Sequence, residues 1–133
     1  MFQLDCLDNV KLADVGLTKL ERDISGTRCG TTCYAAPEVL EGSAYDKTAD
    51  VYSLGVVTWE LWYGRLVQDE MMATAAHKGG DVEKAMREGQ RPSLLTIHEP
   101  SQQLAELITS MWSHEPKSRP TAAAILECLT TMK

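Results

Sequence analysis

Asp50-Val51-Tyr52-Ser53-Leu54-Gly55-Val56-Val57-Thr58-Trp59-Glu60-Leu61 is the stretch whose reading decides the fold of this chain. It lies inside a longer helical signal, 46–63. Leu54, Val57 and Leu61, with Val51, Trp59 and Trp62, put apolar groups on every side of that helix. A helix apolar all round is buried all round, so 46–63 is expected to be the hub of the core and to touch all later helices.

Downstream of the hub, residues 64–80 read as a long connection ending in Gly79-Gly80. Asp81 then caps a short helix, 82–88, closed by Gly89. Arg91-Pro92 to Pro100 reads as a loop. Ser101 caps a helix in which Leu104, Leu107, Ile108, Met111 and Trp112 follow i, i+3, i+4, i+7, i+8 spacing. His114 to Pro120 is a turn with two prolines. Thr121 caps the last helix, which carries Ala122, Ile125, Leu126 and Leu129 on one face. Upstream, Pro37 to Gly42 reads as a short helix with Pro near its start and Gly just past its end. Residues 14–36 show no helical or strand period, and loops of that length are usually functional or disordered. Phe2-Gln3-Leu4 and Val10-Lys11-Leu12 form a hairpin around a polar turn, 5–9. The fold class is therefore mainly α with a small N-terminal β-hairpin.

Composition narrows the function classes. The chain has 133 residues, enough for one core, with 44% apolar and 24% charged residues. Thirteen basic against nineteen acidic side chains give a net charge of −6. That disfavours nucleic-acid binding and a polybasic membrane anchor, so neither nucleic acid nor membrane is expected as a partner. The longest apolar stretch, around 51–63, is too short to span a bilayer. The first ten residues lack the basic flank of a signal peptide. Cys6, Cys29, Cys33 and Cys128 make no C-x-x-C pair, which argues against a zinc site or a disulfide framework. The chain reads as intracellular with reduced thiols, and the cytoplasm is the expected compartment. Cys29 and Cys33 are open to oxidation only if exposed and of low pKa; small loop residues are the plainer reading.

Four segments carry a resemblance. They are Val10-Lys11-Leu12-Ala13-Asp14-Val15-Gly16, Gly30-Thr31-Thr32-Cys33-Tyr34-Ala35-Ala36-Pro37-Glu38, the hub stretch 50–61, and Trp112-Ser113-His114-Glu115-Pro116-Lys117-Ser118-Arg119-Pro120. In this order and at these separations, the chain resembles the C-terminal lobe of a eukaryotic protein kinase. The first segment matches the D-F-G motif, with Val15 where Phe is usual, and the second matches the end of the activation loop and A-P-E. The resemblance implies a partial kinase domain over 1–133, with an activation segment, 14–38, and a helical subdomain, 39–133.

Its implications are residue by residue. Asp14 matches the catalytic carboxylate that holds the metal bridging the nucleotide phosphates, and Gly16 matches the glycine that lets the backbone turn beside the cofactor. Read alone, Asp14 is also a plausible turn cap after a strand. Val15 fills less volume than the family's Phe, whose packing in the family helps set active and inactive states. Thr31 matches the substrate-side threonine of G-T-x-x-Y. Tyrosine-specific kinases usually carry a Lys-Trp pair before A-P-E, so this form leans toward Ser/Thr specificity, with Tyr hydroxyls left open. Trp59-Glu60-Leu61 and Arg91-Pro92 are similar to the tyrosine-kinase-like branch of the Ser/Thr kinases. Glu38 and Arg119 match a structural buried ion pair, and breaking such a pair from one side costs about 3–5 kcal/mol. Asp50 matches the structural aspartate that accepts backbone N–H groups from the catalytic loop; at a helix start it also complements the macrodipole. Ser25, Thr27 and Thr32 are candidates for phosphorylation.

The resemblance also implies absences. The 133 residues hold no Gly-rich loop, V-A-I-K lysine, αC glutamate or H-R-D loop. Met1 falls at the place of the catalytic loop's Asn. ATP and Mg are the implied cofactors of the complete parent domain, and neither is expected to bind this chain tightly by itself. The implied partners are protein substrates and the missing N-terminal lobe. Without the helix that covers the hub in the family, Val51, Leu54, Val57, Leu61 and Trp62 are expected to be partly open. Three readings remain: part of an active Ser/Thr-type kinase, a non-catalytic kinase-like binding or scaffold module, and a helical interaction domain that resembles kinases by accident. The motif order speaks against the third.

Overall fold

The computed structural model describes residues 2–4, 9–12, 32–76, 81–94 and 100–132. Strands β1 (Phe2–Leu4) and β2 (Val10–Leu12) pair antiparallel, with Phe2 opposite Leu12 and Leu4 opposite Val10. A 3-10 turn, Thr32–Tyr34, leads into α1 (Pro37–Leu40). Then come α2 (Thr48–Tyr63), α3 (Val67–Ala76), α4 (Val82–Arg87), α5 (Gln102–Met111), a 3-10 turn Pro116–Ser118 and α6 (Ala122–Thr131). The helix-dominated reading with its front hairpin is the observed architecture.

Helix ends follow local chemistry. Asp81, Ser101 and Thr121 each accept a hydrogen bond at a side-chain oxygen from the N–H three residues on, which satisfies one of the orphan donors of a helix start. Gly64 closes α2 at φ 62°, where a Cβ would be strained.

Tyr52, Val56 and Trp59 of α2 are completely or almost completely buried. They join Val67 and Met71 of α3, Met86 of α4, and Ile108 and Trp112 of and after α5 in the main core. Helix α2 packs chiefly on α5, and also on α3 and both 3-10 turns. A smaller cluster joins Leu107, Met111 and Ile125, with Val51 and Leu54 against it. Trp59 donates from Nε1 to the Ser93 carbonyl at 3.0 Å, and the Tyr63 hydroxyl donates to the Leu94 carbonyl at 2.7 Å. The segment after α4 is thereby fastened to the hub.

Four expectations are corrected. Residues 67–76 are a helix rather than part of a long connection. Val67, Met71 and Ala75 form a buried i, i+4, i+8 stripe, and Asp69 and Glu70 complement the helix start. The hub is not buried on every side and follows instead the expectation of a partly open face: Leu61 is 80% and Trp62 46% exposed, while Val51, Leu54 and Val57 are half-buried. Helix α4 packs mainly on α1 and α3 rather than on the hub. On α6 only Ile125 of the four apolar residues is buried, with Leu126 and Leu129 facing out. Of the four, Ile125 alone reaches the cluster of Leu107 and Met111, with Val51 and Leu54 packed against it.

Candidate functional site

The described part of the site is the segment that enters α1, together with the groups that hold it. Its 3-10 turn closes with the Ala35 N–H donating to the Thr32 carbonyl at 3.2 Å. Ala36 and Pro37 are buried, and Pro37 begins α1, where its missing N–H costs nothing.

Glu38, one residue on, meets Arg119 across 81 positions of sequence. Arg119 donates from Nη1 to Oε1 at 2.6 Å and from Nη2 to Oε2 at 2.9 Å. The same guanidinium donates to the carbonyls of Ser113, Thr48 and His114 at 2.9, 3.1 and 3.3 Å. All five of its N–H donors are therefore used. The Arg119 side chain is 0% and that of Glu38 11% exposed. A charge pair this buried is tolerable only because its remaining hydrogen-bonding capacity is also met. One side chain thus pins the start of α1, the start of α2 and the turn before α6 to one another.

Beneath the pair lies Tyr52, with the Arg119 and Arg91 guanidinium carbons 5.1 and 4.9 Å from its ring centroid. Arg91 donates to the carbonyls of Met86, Gln90 and Trp112 at 3.0, 2.7 and 3.1 Å. It ties the end of α4 to the end of α5.

A second grip was not legible in the motifs. Ser53 and Glu60, seven residues apart on α2, both hold Tyr34. The Ser53 hydroxyl donates to the Tyr34 carbonyl at 2.7 Å, and the Tyr34 hydroxyl donates to Glu60 Oε1 at 2.8 Å. The same Glu60 oxygen accepts the Val67 N–H at 2.7 Å, satisfying a donor at the start of α3. Burial, and then the bond to Glu60, push the Tyr34 phenol up to about 12. The signal was available: two polar residues at i, i+7 on one packed face of a largely apolar helix must find partners.

Among the other sequence candidates, Asp50 sits in the first turn of α2 with an exposed side chain. Thr32 is half-buried at the start of the 3-10 turn. Asp14, Gly16, Ser25, Thr27 and Thr31 lie outside the described residues, as does Cys29. Cys33 is buried, and burial pushes its thiol up, the opposite of what a reactive thiol needs. No group of three or more His, Cys, Asp or Glu side chains able to hold a metal occurs among the described residues. None of the described helices is long and apolar enough to cross a membrane.

Comparison with known proteins agrees with this geometry. The protein kinase domain family matches residues 3–129. The serine/threonine-protein kinase STY46 of Arabidopsis thaliana is 36% identical over 122 residues, covering 90% of this chain and 20% of the relative. The dual specificity protein kinase pyk3 of Dictyostelium discoideum is 34% identical over 131 residues, covering 98% and 9%. Mitogen-activated protein kinase kinase kinase 10 of Xenopus laevis is 34% identical over 125 residues, covering 93% and 12%. The chain spans a fifth or less of the length of these relatives. With the family match running over nearly its whole length, this chain belongs to the protein kinase domain family, of which it carries the helical, C-terminal-lobe part.

Proposed function

We propose that the chain forms the substrate side of a catalytic domain that transfers the γ-phosphoryl group of ATP to serine and threonine hydroxyls of proteins. The observation that carries this reading is the bidentate Glu38–Arg119 pair, which fixes the segment 32–38 to the helical body. Phosphoryl transfer is catalysed mainly by positioning and charge stabilisation, so a rigid platform for the acceptor is what this part has to provide. In this proposal Asp14 and Gly16 serve the nucleotide-bound Mg, and Thr31 lies beside the acceptor hydroxyl. Bound ATP and Mg supply the phosphoryl group and the neutralising charge. The described residues hold the polypeptide that receives it. The open side of the hub, with Leu61 and Trp62 exposed, is where the helix that precedes the catalytic loop packs in the complete domain. Residues 1–133 alone transfer no phosphate.

The test is transfer of label from γ-phosphate-labelled ATP to a degenerate peptide pool by the complete catalytic domain containing this chain. The proposal expects phosphoserine and phosphothreonine, abolished by Asp14→Asn. Absent transfer with retained peptide binding would favour a non-catalytic binding module. Transfer unaffected by Asp14→Asn would overturn the assigned role.

A further inference from the structure

We infer that Arg91 is a positioning residue: it holds α4 as the wall on which the segment 32–38 is seated, and so governs binding of the peptide that accepts the phosphoryl group. The peptide in this statement rests on the kinase reading above; the seating rests on geometry alone.

Helix α4 has six residues, too few to be stable without outside support. Its ion pairs, Lys84–Glu88 at 3.9 Å and Arg87–Glu83 at 3.7 Å, are open to solvent and contribute little. Yet α4 packs on α1 and on the turn 32–34. Its buried Ala85 and Met86 share the main core with Cys33, Ala36 and Val39. Where α4 lies therefore sets where that segment can lie.

Arg91 supplies the outside hold. Its Nε donates to the Trp112 carbonyl, at the end of α5, at 3.1 Å. Its Nη1 donates to the carbonyls of Met86 and Gln90, in the last turn of α4 and just past it, at 3.0 and 2.7 Å. Helix C-termini carry carbonyls without intrahelical donors and favour a cation; here one guanidinium serves two of them. Its carbon stands 4.9 Å from the centroid of the Tyr52 ring, so the same side chain rests on the hub. Arg119, which fixes α1 through Glu38, uses that ring too, at 5.1 Å. The segment 32–38 is thus held twice over one aromatic base, by Arg119 at Glu38 and by Arg91 through α4. A lysine here would keep the charge but present one nitrogen, without the planar fork that reaches both helix ends.

The test compares Arg91→Lys with Ile125→Val, a mild destabilisation placed in the separate cluster of Leu107 and Met111. Amide hydrogen exchange on residues 1–133 is the activity-independent arm. Arg91→Lys is expected to speed exchange about ten-fold at Glu88, Gly89 and Gln90, whose N–H groups close the end of α4, and at Ala35, whose N–H closes the turn. Exchange across α6 should stay at the wild-type rate. Ile125→Val should do the reverse, speeding α6 and leaving Ala35 unchanged. Uniform acceleration in Arg91→Lys, or acceleration in α4 without Ala35, would overturn the inference. The second arm measures kinetics in the complete catalytic domain. Arg91→Lys should raise peptide KM by about ten-fold, because only molecules with the segment seated bind peptide, with kcat and the KM for ATP near wild type. Ile125→Val should change none of the three. A loss of kcat with peptide KM unchanged, or an equal rise of peptide KM in Ile125→Val, would overturn the positioning role. A wild-type domain without transfer would refute the kinase reading, and the exchange arm would still decide the seating.

Discussion

Gly55 of α2 lies directly against Met111 of α5. A Cβ on Gly55 would stand 2.9 Å from the Met111 Cβ and 3.2 Å from the Trp112 backbone nitrogen. Both atoms belong to or adjoin backbone and cannot swing aside. Gly55→Ala is therefore expected to lose about 1–3 kcal/mol by overpacking, despite the better helix propensity of Ala. Urea denaturation measures it; an unchanged or raised midpoint would show that α5 can shift freely.

Tyr52 gives a prediction of opposite sign. Its side chain is fully buried, and its hydroxyl has no hydrogen-bond partner among the described residues. Tyr52→Phe keeps the ring under Arg91 and Arg119 and removes an unsatisfied polar group. Stability at neutral pH should be unchanged or higher by up to about 1–3 kcal/mol. A clear loss in the melt would mean that the hydroxyl is bonded.

Alkaline titration follows from the same side chain. Burial pushes the Tyr52 phenol up to about 12, from about 10 in an unfolded chain. The protonated form is the one the fold prefers. Its stabilising contribution is complete below about pH 10 and is lost as the pH rises through about 12. Tyr34 shifts in the same direction. The wild type should lose stability steeply over that window, and Tyr52→Phe should be less steep. Equal slopes would contradict the burial argument.

Leu61, at 80% exposure, tests the proposed docking face. In residues 1–133 alone, Leu61→Ser should reduce association seen by sedimentation and cost little stability, since the side chain buries little there. In the complete domain the same change should cost about 1.5–3 kcal/mol, the value of a large apolar burial. Equal effects in both settings would mean that nothing covers this face.

Legibility differed from element to element for physical reasons. Helix α5 was readable because Leu104, Leu107, Ile108 and Met111 are all buried on one face, so its period is strong. Helix α3 was missed because a polar run, Gln68-Asp69-Glu70, and small residues dilute its single buried stripe. On α6, Leu126 and Leu129 look like core in sequence and are exposed, because periodicity shows a face but not whether a neighbour exists. Glu38 and Arg119 could be paired only through the family pattern, since nothing local links positions 81 apart. The Glu60 clamp spans three elements, and a motif reading assigns residues singly. The segment 13–31, with Asp14 and Thr31, lies outside the described residues, and its roles stand as proposals.

The account turns on Glu38 and Arg119 acting as one unit that fastens the segment before α1 to the helical body. A double-mutant cycle with Glu38→Gln and Arg119→Met, read by urea denaturation, tests that claim most directly, with Lys117→Met as a surface control. The account predicts that each single change costs about 3–5 kcal/mol, that Lys117→Met costs under about 0.5 kcal/mol, and that the double mutant recovers about 2–3 kcal/mol of the summed loss. Additive losses, within about 0.5 kcal/mol, would contradict it.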